Sequence, residues 1–427
     1  MTDPEGTGPL RHQLGRRRFM VTVAGGFLAA PRLARLTVSP SAPPPVRERV
    51  VTTFAEATAA LDPARAEALA TTRAQREYAA VLRLLRERRL DEVDRPLVEL
   101  TRSRDKNIAA SAWALMPSLL TDRTLPRLPT GSDRDQQAFL EALAHTRSAE
   151  VWSSSARAAR QPLLVHTGDV AFLDVEINGT PARLLLDTGA DLTVIGSRLA
   201  ERVGLRALPG RMKAKGGAAT GVDASLTSIH LDIGAARIEN HPVLLVDSFH
   251  LEQLSAGGML MLGGVVGWNA VQGLRITMDR DTRTLTIERS PRRVPGDTGF
   301  FWVGKPVVTV QSENGFAMHF MLDTGTARSM VSRALADQMG LGPGHIGQVP
   351  IISLDGRRTV EGSAHPEAIL YVGGARLVLP TLWATPPRAR PYGPEDGLLG
   401  ADALARGRTV IDFGSGEFSI SPPGRAS

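Results

Sequence analysis

The chain has 427 residues, of which 42% are apolar and 22% are charged, and this length is enough for two or three domains. The composition excludes a mainly disordered chain and a multi-span membrane protein, and the absence of cysteine excludes disulfides, thiolate metal sites and cysteine nucleophiles. The net charge of +6 belongs to residues 1–160, which carry +7, whereas residues 161–427 carry −1. The C-terminal two thirds therefore offer no electrostatic basis for binding nucleic acid.

Residues 1–35 are predicted to be an export signal. Arg16, Arg17 and Arg18 precede an apolar stretch over 19–30, which is too short to cross a bilayer because a span takes roughly 20 apolar residues. Small residues that follow offer cleavage points, and the paired arginines resemble a twin-arginine signal, which directs the export of folded protein. We therefore expect a periplasmic, extracellular or cell-surface protein with no stable membrane span after signal removal. The alternative is a basic, disordered tail.

Residues 36–46 are rich in proline and predict an extended, semi-rigid linker. The next region, 47–160, is rich in Ala, Leu, Arg and Glu, and its apolar residues recur at helical spacing. This pattern predicts about five helices in antiparallel pairs, one of them with Asp62 as N-cap and Pro63 at the first helical position. Part of the region resembles a tetratricopeptide-like hairpin. A prosegment, an adaptor and a docking domain therefore all remain as roles for this helical region.

An internal repeat occupies the rest of the chain. Residues 187–205 and 323–341 align without a gap, and seven of the nineteen positions are identical. In both copies, two alternating segments separated by Asn-Gly, a strong hairpin signal, lead into the sequence Asp-Thr-Gly. The interval between Asp187 and Asp323 equals the interval between the two hairpin glycines, Gly179 and Gly315. Each copy therefore predicts a β-hairpin that ends at an aspartate.

A second shared motif follows each aspartate further along the chain. Two apolar residues and a glycine occur in both copies, and a strand that contains an aspartate follows each set at the same distance. The steady spacing indicates two copies of one β-rich unit, which we name lobe one (161–293) and lobe two (294–427). The motif residues are Val265, Val266 and Gly267 in lobe one and Leu398, Leu399 and Gly400 in lobe two.

These paired motifs resemble those of bacterial pepsin-like and retropepsin-like aspartic proteases, over roughly residues 165–422. The resemblance implies a mainly β, two-lobed acid-protease fold, a pseudo-twofold pair of β-barrel-like lobes preceded by the α-helical N-terminal region. Because both Asp-Thr-Gly copies lie in one chain, it also implies a monomer whose catalytic pair forms within the chain.

The expected activity is that of an aspartic endopeptidase, which hydrolyses peptide bonds by activating water between Asp187 and Asp323. Two carboxylates about 3 Å apart cannot both ionise cheaply and share one proton. The ionised member then acts as general base and the protonated member as general acid. By the resemblance, Thr188 and Thr324 would hydrogen-bond across the pair. The remaining active-site loop residues are Gly189, Ala190, Gly325 and Thr326, of which the glycines permit close approach of the loops and Thr326 offers a hydroxyl to its aspartate.

Other polar residues in the lobes are expected to have structural roles. Asp279 and Asp412 are predicted to be turn or loop residues at strand ends, and Asp191 is predicted to lie on the surface or, at best, to modulate subsite charge. A third Asp-Thr-Gly copy, at 297–299, lacks an apolar strand before it and predicts a linker turn. His319 is predicted to be a packed strand residue.

A glycine-rich stretch at 213–221 is the candidate flap over the cleft, with Gly216, Gly217 and Gly221 as its hinges. A plain mobile loop is the alternative. The stretch lacks the tyrosine that pepsin-like enzymes place on their flap, which favours a retropepsin-like flap. The matching stretch of lobe two, 354–362, is expected to be an ordinary hairpin rather than a second flap.

No metal site and no cofactor are predicted, because the nine histidines lack metal-ligand spacing. The expected partner is a peptide or protein substrate, and no nucleic acid is expected. Two alternatives remain from the sequence. One is a catalytically silent module that binds peptide or cell-wall ligands, and the other is a zymogen held inactive by the helical region through its arginine-rich stretch 83–95.

Overall fold

A computed structural model gives the structure of the chain. It describes residues 21–22, 36–47, 49–87, 89, 92–119, 134–146, 148–152, 158–165, 168–216, 221–254, 262–290, 299–386, 396–412 and 414–423. The predicted export signal lies almost wholly outside these residues. Within it only Val21–Thr22 is described, as a short strand (β1) that pairs in parallel with Ala214 and Lys215. No helix among the described residues is both long and apolar enough to cross a membrane.

The helical region contains six described helices, one more than the sequence predicts. Thr53 and Thr72 begin the first and third of these as members of capping boxes. The predicted N-cap at Asp62 is confirmed, because its side chain accepts a hydrogen bond from the Arg65 backbone N–H at 2.9 Å. The helices are α1 Phe54–Ala59, α2 Pro63–Leu69, α3 Arg73–Arg86, α4 Asp94–Thr101, α5 Lys106–Leu119 and α6 Arg134–His145.

The apolar stripes of these helices form a core, as their spacing predicts. A helix turns once every 3.6 residues, so residues three and four apart share one face. The buried side chains of α3 and α5 follow this rule and include Tyr78, Val81, Leu82, Leu85, Ile108, Ala112 and Leu115.

Lobe one is a ten-stranded sheet that closes on itself through an additional pairing between β10 and β6. Its first hairpin turns at Asn178 and Gly179, which both have positive φ, as a type I′ turn requires. The strands are β3 Ala149–Trp152, β5 Leu164–Val165, β6 Ala171–Ile177, β7 Thr180–Leu186, β8 Thr193–Gly196, β9 Met212–Lys215, β10 Val222–Ile233, β11 Ala236–Val246 and β12 Gly264–Val266, together with β1; the helices are α7 Ser197–Arg202, α8 Ser248–Glu252 and α9 Trp268–Val271.

Lobe two repeats this arrangement in a nine-stranded sheet, which closes through the pairing of β16 with β20. The predicted mainly β, two-lobed fold with a helical N-terminal region is therefore confirmed. The strands are β2 Thr37–Pro40, β15 Phe300–Trp302, β16 Pro306–Ser312, β17 Ala317–Leu322, β18 Met330–Ser332, β19 His345–Ser353, β20 Gly356–Val372, β21 Ala375–Thr385 and β22 Gly397–Leu399; α10 is Arg333–Ala336, and a 3₁₀ helix covers Ala401–Leu404.

A five-stranded antiparallel sheet joins the lobes, in the order β24-β23-β13-β14-β4. We call it the seam sheet. Its central pair, β13 from lobe one and β23 from lobe two, aligns Arg275 with Asp412 and Asp279 with Arg408. Strands of both lobes therefore share one ladder of backbone hydrogen bonds. They are β4 Ala158–Pro162, β13 Leu274–Asp279, β14 Thr284–Arg289, β23 Arg408–Asp412 and β24 Glu417–Ser421.

The N-terminal region supplies an edge strand to each lobe. In the predicted linker, β2 pairs antiparallel with β21 of lobe two, and at the far end of the helical region β3 pairs antiparallel with β11 of lobe one. The two strands occupy equivalent places, because β11 and β21 are counterparts in the repeat. The linker prediction is therefore wrong for residues 37–40, and the helical prediction is wrong for 149–152 and 158–160. Residues 47–148 lie between two strands that belong to the lobes.

Candidate active site

The two Asp-Thr-Gly loops follow equivalent strands. Asp187 comes directly after β7, and Asp323 comes directly after β17. In each lobe the apolar-apolar-Gly motif lies alongside in a parallel strand, so that the Asp187 N–H donates to the Val266 carbonyl at 3.0 Å and the Asp323 N–H to the Leu399 carbonyl at 3.0 Å. The second motif of each copy therefore fixes the backbone of the aspartate loop.

The glycines of this motif are sterically required. A Cβ at Gly267 would lie 2.6 Å from the Leu192 carbonyl oxygen, and a Cβ at Gly400 would lie 2.8 Å from the Arg328 carbonyl oxygen. Both contacts are with backbone, which cannot move aside as a flexible side chain can. The two glycines allow the aspartate loop and the motif to pack directly on each other.

The Asp187 and Asp323 side chains are both fully buried. Oδ1 of Asp187 accepts hydrogen bonds from the N–H groups of Gly189 (2.8 Å) and Ala190 (3.1 Å). Oδ1 of Asp323 accepts the equivalent bonds, and its Oδ2 also accepts one from the Thr326 hydroxyl at 2.8 Å. Asp323 therefore has one more donor than Asp187, as the difference between Thr326 and Ala190 predicts.

The two loops are held together by a closed set of hydrogen bonds between the lobes. The Thr188 hydroxyl donates to the Leu322 carbonyl at 2.6 Å and accepts from the Thr324 N–H at 3.1 Å. The Thr324 hydroxyl donates to the Leu186 carbonyl at 2.8 Å and accepts from the Thr188 N–H at 3.1 Å. Each of these four bonds joins one lobe to the other, which fixes the loops relative to each other.

The Asp187 carboxyl lies close to the Asp-Thr-Gly loop of lobe two. A Cβ added at Gly325 would be only 2.7 Å from each carboxyl oxygen of Asp187. Burial, and then the negative charge of Asp323, raise the pKa of Asp187 well above its ordinary value, whereas Lys305 and the Gly189 N–H lower it. Oδ2 of Asp187 has no hydrogen-bond donor among the described residues. A proton shared between the two carboxyls would satisfy this oxygen and relieve the repulsion.

Lys305 is a member of the site that the sequence analysis missed. It lies between β15 and β16 of lobe two, is 4% exposed, and donates from Nζ to the Gly189 carbonyl at 2.5 Å. It also forms an ion pair with Asp191. Comparison of the two repeat copies could not identify Lys305, because the equivalent position of lobe one is Asp169. The one available sequence signal was the rarity of lysine, since the chain contains very few lysines beside its arginines.

The prediction that Asp191 lies on the surface is wrong. Its side chain is buried, at 2% exposed, because it pairs with the ammonium group of Lys305 from the other lobe. Lobe two has Ala327 at the equivalent position and therefore cannot form a matching ion pair. The Lys305–Asp191 pair has no copy on the other side of the pseudo-twofold axis.

A second layer of polar residues supports each loop. In lobe one, the Gly267 N–H donates to the Thr193 hydroxyl, and the Thr193 N–H donates to the Asn269 side chain. In lobe two, the Gly400 N–H donates to the Ser329 hydroxyl, and Ser329 donates twice to Asp402. The alignment of the two copies already pairs Thr193 with Ser329, and this was the signal from which the layer could have been predicted.

The ionisable groups of this layer titrate far from their ordinary values. His241 contacts the Thr193 hydroxyl through Nε2 at 3.0 Å, and burial lowers its pKa to about 3. Burial raises the pKa of Asp402 to about 6, although hydrogen bonds from Ser329 oppose the shift. The histidine is therefore neutral at pH 7, whereas Asp402 ionises only near neutrality.

Two hairpins meet across the lobes. Gly216 and Gly221 of the candidate flap lie in the loop between β9 and β10, while Gly217 is outside the described residues. Stretch 354–362 is a hairpin, as expected, yet it also reaches lobe one, because Asp355 at its tip accepts a hydrogen bond from the Gly221 N–H at 3.1 Å. Arg357 adds a second cross-lobe contact, to the Gln253 carbonyl at 3.3 Å. The lobe-two hairpin therefore contacts lobe one, which the prediction of an ordinary hairpin did not include.

Three further predictions concern polar residues outside the catalytic pair. Asp279 caps the β13–β14 turn, as predicted, and His319 is packed, with Nε2 at 2.9 Å from the Ala60 carbonyl. Asp412 ends its strand as predicted but is fully buried in the seam sheet, where Arg275 and Ser290 donate to it. Of the third Asp-Thr-Gly copy only Gly299 is described, with positive φ; Asp297 and Thr298 lie outside the described residues.

No group of three or more His, Asp or Glu side chains in the described part of the chain is arranged to hold a metal ion. The site itself presents two neighbouring carboxyls, Asp187 and Asp323, in a buried setting between the lobes.

Comparison with known proteins agrees with the two-lobed organisation. The family described as Aspartyl protease matches the chain twice, at residues 173–270 and 308–403. Among solved structures, one match is a retropepsin-like aspartic protease from Rickettsia conorii, with 14% identity and a TM-score of 0.23, covering 34% of this chain and 96% of that chain. No curated protein matches the chain.

Proposed function

We propose that this chain, each of whose lobes matches the Aspartyl protease family, is an aspartic endopeptidase with Asp187 and Asp323 as its catalytic pair. The observation that carries the proposal is the pairing of these two buried carboxyls by the cross-lobe hydrogen bonds of Thr188 and Thr324. Such a closed set of bonds keeps two like charges together that would otherwise repel.

The chemistry follows from a single proton shared by the pair. The ionised carboxylate takes a proton from water, the water oxygen attacks the scissile carbonyl carbon, and the protonated carboxyl donates to the carbonyl oxygen. The C–N bond of the tetrahedral species then breaks as the leaving nitrogen takes the proton that the first carboxylate removed from water. The other carboxylate takes a proton back from the hydroxyl on the former carbonyl carbon, so that the C=O bond re-forms and the pair again holds one proton. The raised pKa of Asp187 and the third donor on Asp323 favour Asp187 as the resting holder of the proton, although the titration belongs to the pair.

The arginine-rich stretch does not support the zymogen alternative. Its described arginines form ion pairs within the helical region, as in Arg83 with Glu67, Arg89 with Glu92 and Arg95 with Glu99. Arg86 lies over the Phe301 ring and donates to the Leu61 carbonyl. These guanidinium groups therefore have partners other than the catalytic carboxyls.

The proposal includes the cellular setting and the assembly. The twin-arginine-like signal supports export before the protein acts, with a peptide or protein as substrate. Both aspartates come from one chain, which supports a monomer as the active form. A catalytically silent binding module is the competing function, and the retained pair of carboxyls argues against it.

The test is cleavage of a mixed peptide library from pH 3 to pH 8 by the wild type, Asp187→Asn and Asp323→Asn, with Asp279→Asn as the matched control. Each change in the pair should reduce the rate at least about a hundredfold, whereas Asp279→Asn should leave it unchanged because the amide still caps its turn. Retained cleavage by Asp187→Asn or by Asp323→Asn would overturn the proposal. A folded wild type that binds the peptides without cleaving them would establish the binding module instead.

A further inference from the structure

Several side-chain N–H donors buried in lobe two have no hydrogen-bond partner among the described residues, and two of them lie on adjacent backbone segments. These two are Nε of Arg328 and Nε1 of Trp383. A buried donor without a partner costs roughly 1–3 kcal/mol, so each such group calls for an explanation, of which a bound ligand is one. Neither residue forms an ion pair or side-chain hydrogen bond with another described residue.

Both donors lie beside the catalytic loop. Arg328 comes five residues after Asp323, and its backbone packs on Gly400 of the apolar-apolar-Gly motif. Trp383 donates its backbone N–H to the Ser329 carbonyl at 3.3 Å and pairs with Met330 in the sheet. The two unsatisfied side chains therefore belong to adjacent backbone segments.

An apolar cluster separate from the main core packs against one of the two donor residues. It consists of Met321, Met330, Val349 and Leu398, with Trp383 packed against it. Met321 is two residues before Asp323, and Leu398 belongs to the motif strand next to it. The apolar cluster therefore lies next to the segment that carries Asp323, with Trp383 packed against it and Arg328 two residues before Met330 in the chain.

The fold itself does not require an arginine at this position. The counterpart of Arg328 in lobe one is Leu192, which is fully buried. The acidic group near Arg328 is Asp402, but both its oxygens are taken by Ser329 and Ala403 donors rather than by the guanidinium. Arg328 thus acts on Asp402 only through its charge and forms no ion pair with any described residue, at a position where its counterpart is an apolar side chain.

We propose that Arg328 binds the carboxylate of an aspartate or glutamate side chain of the substrate, in a lobe-two subsite walled by the methionine-containing cluster. Guanidinium and carboxylate form charge-assisted, often bidentate hydrogen bonds, and the Trp383 indole N–H supplies a further donor. The inference rests on the proposed peptidase function and gives it a substrate class, peptides with an acidic residue near the cleaved bond.

The experiment compares peptide pairs that differ only by Glu or Gln at one position, scanned through the eight positions around the cleaved bond. The enzymes are wild type, Arg328→Leu, Arg328→Lys and the control Arg333→Leu, whose arginine is exposed and paired with Glu361. At one position wild type and Arg333→Leu should prefer Glu at least about tenfold in kcat/KM. In Arg328→Leu the ratio of kcat/KM for the Glu peptide to that for the Gln peptide should fall to about one, whatever the absolute rates are, and Arg328→Lys should keep part of the preference.

Two results would overturn the inference without touching the proposed function: cleavage with no Glu preference at any position, or a preference that survives Arg328→Leu. If wild type cleaves no peptide, the proposed function fails first. The same labelled peptide pairs are then measured for binding, and equal Kd values for Glu and Gln peptides, or a difference that Arg328→Leu does not remove, would overturn the carboxylate site as well.

Discussion

Lys305 of lobe two and Asp191 of lobe one form an ion pair that is almost completely withdrawn from solvent, and Lys305 also donates to the Gly189 carbonyl within the catalytic loop. The pair joins the lobes on one side of the catalytic carboxyls only. An ion pair in such a place is costly to break by removing one member, because the remaining charge stays buried.

Replacing Lys305 with Met is therefore expected to lower the free energy of unfolding by about 3–5 kcal/mol. The double variant Lys305→Met/Asp191→Leu should recover much of this loss, since no charge is left unpaired. Urea unfolding of the wild type, both single variants and the double variant measures the coupling. Simple additivity of the two single effects would contradict the buried pairing.

The same lysine should set the pH range of activity. Lys305 lowers the pKa of Asp187, opposing burial and the charge of Asp323. Without this cation the pair holds its protons to higher pH, so both limbs of the pH–rate profile of Lys305→Met should move upward. The profile is measured on the folded fraction of the variant, with wild type alongside; limbs that stay fixed or move downward would rule out the electrostatic role.

Thr324→Val is expected to damage both stability and catalysis. Valine keeps the shape but removes the donor to the Leu186 carbonyl and the acceptor for the Thr188 N–H, both of which are buried. Two buried groups without partners should cost roughly 2–5 kcal/mol, and the catalytic loops should lose their fixed geometry. Thr324→Ser keeps the hydroxyl and serves as the control. Thermal melts and kcat measure the two effects, and equal behaviour of the two variants would exclude the role of the hydroxyl.

Asp402→Asn should stabilise the protein at neutral pH. Because the folded-state pKa of Asp402 is about 6 and its ordinary value is 3.8, the folded state binds the proton more tightly, and stability is lost as pH rises through this interval. An asparagine side chain does not ionise, so it removes this loss of unfolding free energy, which reaches up to about 3 kcal/mol at pH 7. Lobe one already has an amide at the counterpart position, Asn269. Unfolding curves should differ at pH 7 and converge near pH 3.5; a constant difference would point to another cause.

Arg49→Leu should destabilise lobe two without activating the enzyme. Arg49 donates to both oxygens of Asp396, which is buried and also accepts from the His319 N–H. Loss of the guanidinium leaves a buried carboxylate short of partners, at a cost of about 3 kcal/mol. The melting temperature and the peptide cleavage rate are compared with those of Arg47→Leu. A rise in activity on loss of Arg49 would instead favour an inhibitory N-terminal region.

The repeat is what made the two lobes and the catalytic loops predictable. The paired spacings of Asp187 with Asp323 and of Gly267 with Gly400 reflect strands that the fold brings side by side. Lys305 was not predictable in this way, because it acts across the pseudo-twofold axis and has no copy in the other lobe. Asp191 was misassigned for the same reason.

The N-terminal region illustrates a second limit. Helical spacing in 73–86 predicted which side chains are buried, since a helix carries its own periodicity. The edge strand at 37–40 has its partner at 375–378, near the other end of the chain, and its short, proline-flanked sequence is typical of a linker. Pairing partners so far apart in sequence are decided by the assembled sheet rather than by local sequence.

The seam sheet has a consequence for how the protein unfolds. Since β13 pairs with β23, neither lobe can open without breaking a ladder that it shares with the other. A half-chain produced by cutting between the lobes would present an unpaired strand edge to water, a template for aggregation. Equilibrium unfolding should therefore be one cooperative transition for both lobes, with a midpoint independent of protein concentration.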